Sequence, residues 1–292
     1  METEKESEYS ARGRVIHHLL ELINRSGLGE LVVLRGSLLM KAWYGDAARE
    51  PGDIDWVLRD DESQYKPTFF RERLKNFLRS VAKHSDVGGV RINSRKIVED
   101  AINTKGEYQS LVGRRLIFPW QSAGKASGTI QMDFAFDEVL RVSPSWTAIP
   151  NPVGEETRVW AVSKEESLAW KIVWLEHDAG NTTPSQLTVG TKPKGKDLYD
   201  AVLLAEDIFL PMDLLLRVCA EHYWYMTSAN SGNPFGSEAF PLMWDVDWEP
   251  FQKEHPKITG WATDWQMRLA YALSPTFSAE ERERAHIALS FQ

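Results

Sequence analysis

An α/β domain followed by a mainly helical half is the fold class this sequence predicts, on three observations. Up to about residue 150, short apolar runs of strand length alternate with amphipathic stretches of helical period. After Asn151-Pro-Val-Gly the strand-like runs stop and helical patterns follow one another. The chain has 292 residues, 42% of them hydrophobic and 26% charged, enough for two cores of ordinary size. The expected division is therefore 1–155 and 156–292.

The elements follow in order. Val15, Leu19, Leu22 and Ile23 recur at helical spacing over 11–26, and Gly27 and Gly29 end the pattern. Leu31-Val-Val-Leu34 reads as a short buried strand, followed by a tight Arg35-Gly-Ser37 turn and a helix over 38–44 that Gly45 closes. Residues 53–58 read as a strand and 68–84 as a basic amphipathic helix. Arg114–Phe118 and Gly128–Phe136 read as paired strands joined by the 121–127 loop. Ser163 and Glu166 form a capping box ahead of a helix with Leu168, Ile172 and Leu175 on one face. Asn181–Gly195 reads as a loop, and further helices are expected over 197–208, 211–225, 260–273 and 278–290.

Several classes are excluded. No apolar run approaches the ~18 residues of a membrane span, so no membrane partner is expected. The N-terminus, Met1-Glu-Thr-Glu-Lys-Glu, is acidic and unlike a targeting segment, which predicts a cytoplasmic protein. The single cysteine, Cys219, allows no internal disulfide and reads as a small buried apolar residue. A net charge of −8 counts against a general nucleic-acid binder. Against that background, residues 66–96 hold nine basic and two acidic residues. That run is either a solvated helix face or a docking surface for a polyanion.

The chemistry concentrates on the strands. Asp53 and Asp55 share one strand face, with Ile54 and Trp56 on the other. At ~4 Å and an effective dielectric of about 20, two such carboxylates repel by on the order of 4 kcal/mol. A cation or strong donors must offset this, and Mg²⁺ takes such oxygen ligands. A second Asp-x-Asp, Asp245-Val-Asp247, reads as an exposed acidic turn. Gly36 and Ser37 place a hydroxyl and backbone N–H groups at a helix start, a phosphate cradle. Asp133 adds a third carboxylate within an otherwise apolar strand. Three strand carboxylates and a Gly-Ser turn are the ingredients of metal-assisted phosphoryl transfer.

Leu34-Arg-Gly-Ser37 followed by Arg49-Glu-Pro-Gly-Asp53-Ile-Asp55 resembles the nucleotidyltransferase superfamily signature. More narrowly the chain is similar to the AbiEii/AbiGii-type nucleotidyltransferase toxins of type IV toxin–antitoxin systems. Arg49 matches the Arg four residues before the first Asp, and Asp133 matches the second motif. Leu168-Ala-Trp-Lys171 matches the third, and Lys194-Gly-Lys196-Asp197-Leu-Tyr-Asp200 the fourth, with Lys in place of the usual Arg. The four motifs span residues 34–201, and nothing after about 205 carries one.

The resemblance implies a nucleotidyltransferase-like mixed sheet and a helical domain that completes the active site. It also implies transfer of a nucleoside monophosphate from an NTP, with Mg²⁺ or Mn²⁺. The metal would be held by Asp53, Asp55 and Asp133, with Lys171 and Asp197 also catalytic. The nucleotide would be bound by Gly36, Ser37, Arg49, Lys171, Lys194, Lys196 and Asp200. The implied acceptor is the tRNA 3′ end, with a cognate antitoxin as partner. The alternatives are a small-molecule, aminoglycoside-like nucleotidyltransferase and a non-catalytic nucleotide- or partner-binding protein. Lys171 beside an apolar stripe either seeks an anion or snorkels to solvent. Asp197 and Asp200 at a helix start serve chemistry or simple capping. Adjacent His17 and His18 cannot share a helix face, and His177 reads as a helix C-terminal partner. Trp244, Trp248, Trp261 and Trp265 are core residues or a partner surface.

Overall fold

The computed structural model describes residues 2–59, 67–103, 111–124, 126–151, 154–179, 192–222 and 244–290. Lys66 and most of the expected 181–195 loop lie outside the described residues. By its contacts the chain divides into two compact units, Met1–Val162 and Ser163–Gln292.

The first unit is a mixed sheet with helices. Its strands are β1 (Val32–Arg35), β2 (Asp53–Leu58), β3 (Asp86–Val87), β4 (Val90–Ile92), β5 (Val98–Asn103), β6 (Leu111–Ser122), β7 (Ser127–Ala135), β8 (Ser145–Ile149) and β9 (Thr157–Ala161). Their order is β3-β4-β6-β7-β2-β1-β9-β8, with β5 also paired to β6. The Asp-x-Asp strand β2 is thus interior, antiparallel to β1 and parallel to β7. Its helices are α1 (Glu2–Arg25), α2 (Ser37–Tyr44) and α3 (Pro67–Lys83).

Alternation along the strands gives the sheet two unlike faces. Ile54, Trp56, Leu116, Phe118, Ile130, Met132 and Phe134 are buried. Helix α3 covers part of this face because Phe70, Leu74, Phe77 and Val81 recur at helical spacing and are buried. Phe70 meets Phe134 edge-on at 5.6 Å, and Phe77 meets Phe118 at 6.0 Å. The opposite face carries Asp53, Asp55, Asp133 and Arg115, all half-buried.

The second unit is helical: α4 (Lys164–Asp178), α5 (Gly195–Asp207), α6 (Met212–His222), α7 (Trp248–Glu254), α8 (Ala262–Leu273) and α9 (Ala279–Ser290). Ser163 caps α4, its Oγ accepting from the Glu166 N–H at 3.1 Å. The expected stripe of Leu168, Ile172 and Leu175 is fully buried. Tyr199, Trp248, Phe251 and Trp265 form one aromatic cluster between α5, α7 and α8. Trp244, Trp248 and Trp265 are therefore core residues, while Trp261 is 78% exposed.

Some elements had no counterpart in the sequence pattern. Strands β3 and β4 have two and three residues, too few for a period to register. Strand β5, Val-Glu-Asp-Ala-Ile-Asn, and edge strand β8 carry no apolar run. Helix α7 begins just after Asp245-Val-Asp247, over residues for which no helix was expected. Among the described residues no helix is long and apolar enough to cross a membrane.

Candidate active site

The site is built where β1 turns into α2. Gly36 has φ 80° and ψ −155°, a region open in practice only to glycine. A Cβ there would lie 2.5 Å from Asp55 Oδ2, so the missing side chain also lets a carboxylate approach the turn. Ser37, buried, opens α2, and its Oγ lies 3.5 Å from Asp53 Oδ1. The turn and the Asp-x-Asp strand are thereby one unit, as the sequence order led one to expect.

Register sets the rest. Arg35 pairs with Asp55, Asp55 with Asp133, and Asp133 with Arg115. Four adjacent strands thus place two carboxylates side by side between two guanidiniums, in one row at about 4.8 Å per strand. Arg115 takes both oxygens of Asp133, Nε donating to Oδ1 at 2.9 Å and Nη2 to Oδ2 at 2.7 Å. Gln131 Nε2 donates to the same Oδ2 at 3.0 Å. The bonds to Asp133 hold the Arg115 guanidinium above its ordinary pKa against partial burial, and the charges of Asp133, Asp53 and Asp55 reinforce this.

At the other end of the row, Arg35 is paired with Glu138. Burial pushes the Glu138 carboxyl above the usual carboxylate range, against the pull of Arg35. Arg12 of α1 donates to the carbonyls of Thr129, at 3.1 Å, and Gly52, joining the starts of β7 and β2. Arg49 is half-buried in the segment entering β2.

Arg12, Arg35, Arg115, Gln131 and Glu138 were not singled out in the sequence. One signal for Arg115 was there: Asp133 in an apolar strand needs a cation, and the preceding strand of the same hairpin carries two arginines.

The remaining candidates cluster in the helical unit. Lys171 Nζ of α4 lies 2.7 Å from Asp197 Oδ1 and 3.1 Å from Asp200 Oδ2, both on α5. Their side chains are 6%, 8% and 0% exposed, so Lys171 does not snorkel. It also lies 5.1 Å from the Trp174 ring. Burial would raise the Asp197 pKa, but the Lys171 charge and hydrogen bond, aided by Lys196 and Lys194, hold it below the usual value. Lys194 precedes α5 and is exposed, whereas Lys196 is half-buried.

Other side chains are structural. The N–H of Asp247 donates to the Pro193 carbonyl at 2.8 Å and exposed Asp245 pairs with Lys192, so the second Asp-x-Asp is exposed as expected, but Asp247 forms an isolated β-bridge with Lys194 and not a turn. Cys219 is buried, and burial raises its thiol pKa, aided by Glu176. His17 is buried, with a lowered pKa, and His18 Nε2 lies 2.6 Å from the His84 carbonyl oxygen.

The oxygen donors of Asp53 and Asp55 on one strand face suit a hard divalent cation. Asp133 is committed to Arg115, and among the described residues no three His, Cys, Asp or Glu side chains are gathered to hold a metal.

Residues 18–268 match the family model described as "Nucleotidyl transferase AbiEii toxin, Type IV TA system". Among solved structures the chain is similar to MenT4, a nucleotidyltransferase toxin from Mycobacterium tuberculosis H37Rv. The two are 15% identical, with 95% of this chain and 88% of that chain covered and a TM-score of 0.54, a likeness of fold. It is also similar to JHP933 from Helicobacter pylori, at 12% identity, 96% and 97% coverage and a TM-score of 0.48. No curated protein sequence matches it.

Proposed function

Because the chain belongs to the AbiEii family of nucleotidyl transferase toxins of type IV toxin–antitoxin systems, we propose that it moves a nucleoside monophosphate from an NTP to the 3′-terminal hydroxyl of tRNA. The observation that carries the reading is the Asp53, Asp55 and Asp133 face beside the Gly36-Ser37 turn. Asp53 and Asp55, completed by Asp133, would hold Mg²⁺ or Mn²⁺, which supplies neutralisation of the triphosphate and a more acidic acceptor hydroxyl.

The chain's own residues do the rest. Gly36 lets Asp55 close on the turn and offers phosphate oxygens only its backbone, while Ser37 offers them its hydroxyl and the start of α2. The acceptor oxygen attacks the α-phosphorus in line, the bond to the β-phosphate breaks, and pyrophosphate leaves. Asp133, by completing the metal site, would help activate the acceptor hydroxyl, whose proton passes to solvent water. The family's motifs imply catalytic roles for Lys171 and Asp197 and nucleotide binding by Arg49, Lys171, Lys194, Lys196 and Asp200, with Lys171 held in place by Asp197 and Asp200. The family also implies an antitoxin partner, and tRNA and NTP substrates place the reaction in the cytoplasm. The exposed cations Arg71, Lys75, Arg79 and Lys83 on α3 favour a polyanionic acceptor over a small cationic one.

A label-transfer assay tests this. Protein, Mg²⁺, total tRNA and each α-labelled NTP in turn are expected to give labelled tRNA with at least one nucleotide. The Asp53→Ala/Asp55→Ala protein is expected to give none. Unlabelled tRNA with every nucleotide, from a protein that still binds NTP, would overturn the tRNA acceptor.

A further inference from the structure

We propose that Arg115 is a positioning residue of the carboxylate face: its fork holds both oxygens of Asp133 and competes with a divalent cation for that carboxylate. This rests on the metal-dependent reading above and adds to it a residue that lies in none of the four motifs.

Three observations carry it. The first is occupancy. Oδ1 of Asp133 accepts from Arg115 Nε, while Oδ2 accepts from both Arg115 Nη2 and Gln131 Nε2. A bidentate guanidinium–carboxylate pair is among the stronger polar contacts a protein makes, so Asp133 is not an idle ligand.

The second is direction. Arg115 reaches Asp133 from β6, whereas Asp55 stands beside it on β2, so the guanidinium approaches from the flank away from the Asp-x-Asp pair. Asp133 can therefore exchange one cationic partner for another without a change of strand register. Arg115 is the freer member, with a side chain 40% exposed against 17% for Asp133.

The third is charge. Three carboxylates stand on this face, with the Arg115 guanidinium at one end of the row and the Arg35–Glu138 pair at the other. A divalent cation entering beside Asp133 is repelled by the Arg115 guanidinium and is held more strongly once that charge is removed. Arg115 thus limits what the face takes up before nucleotide arrives.

The test measures Mn²⁺ affinity without nucleotide, by electron paramagnetic resonance of free Mn²⁺, on the full-length protein and its variants. Arg115→Gln is expected to tighten binding about tenfold, the equivalent of about 1.4 kcal/mol. Arg115→Gln/Asp133→Asn is expected to return to the parent value, since the gain belongs to the released carboxylate. Arg115→Lys keeps the charge but not the fork, should tighten binding by less, and carries the test if Arg115→Gln does not fold. An ordinary structural ion pair would weaken the site when broken, not tighten it.

The proposal is overturned if neither single variant binds Mn²⁺ more tightly than the parent. It is also overturned if the double variant keeps the gain, because the effect is then one of general charge. Absence of Mn²⁺ binding in every protein would remove the metal assignment as well. Failure of Arg115→Gln alone leaves the tRNA-labelling result standing.

Discussion

Gly36 is where backbone conformation and charge placement meet. Its φ of 80° with ψ −155° costs a residue bearing a Cβ about 1–3 kcal/mol of strain. The added methyl would in addition lie 2.5 Å from Asp55 Oδ2, against a carboxylate fixed on an interior strand. Gly36→Ala must therefore push Asp55 off the shared face or reshape the turn that presents Ser37. The expected outcome is a folded protein with a melting temperature lowered by several degrees and label transfer down by at least about tenfold, since small displacements at a reacting centre cost far more in rate than in stability. Thermal melts run beside the transfer assay separate the two. Activity that falls only in step with the folded fraction would show that the turn is merely a turn.

At the scale of elements, α4 and α5 are joined by one buried ammonium and two buried carboxylates. Lys171→Met removes the cation and leaves Asp197 and Asp200 with a like charge beside them, in a place where water does not reach. Loss of one partner of a buried ion pair costs about 3–5 kcal/mol, and urea unfolding followed by circular dichroism should show it as a lowered midpoint. The pH dependence has a definite sign. The folded-state pKa of Asp197 is lowered below 3.8, so its contribution is full above that value and is lost as the pH falls through the folded-state pKa. The difference in stability between the parent and Asp197→Asn should therefore shrink on acidification below about pH 4.

Element scale is also where the sequence was most and least legible. Strand β2, the Ser163 cap and the α4 stripe could be read because alternation and helical period report a buried face directly. The partner of Asp133 could not, because nothing in the residue pattern sets the register of β6 on β7, and a slip of one residue would have put Arg115 on the core face. Edge strands β3 and β8, and the three-residue β4 beside β3, were illegible for a different reason: they are short or half-solvated, and need no apolar pattern to pair.

The whole molecule carries −8, yet one helix presents cations to solvent. On α3 the apolar stripe is turned into the core, which leaves Arg71, Lys75, Arg79 and Lys83 exposed, while half-buried Arg73 lies over the Phe69 ring at 4.9 Å. The pattern accounts for a solvated helix by itself, so only a measurement that responds to phosphate can assign it a partner. Replacing the four exposed cations by Gln, with Arg73 kept for its packing, removes four positive charges without opening the core. If the acceptor is tRNA, the affinity for tRNA falls at low salt. The slope of log affinity against log salt becomes shallower by up to about 3–4, the release of one counterion per lost phosphate contact. NTP binding, measured by calorimetry, should not change, since none of these four cations is assigned to the nucleotide. A small cationic acceptor predicts the opposite response, because a net negative protein loses nothing it needs when these cations go and attracts such a substrate more strongly. An unchanged salt slope with intact labelling of tRNA would place the docking surface elsewhere on the chain and return α3 to the role of a solvated cover for the sheet.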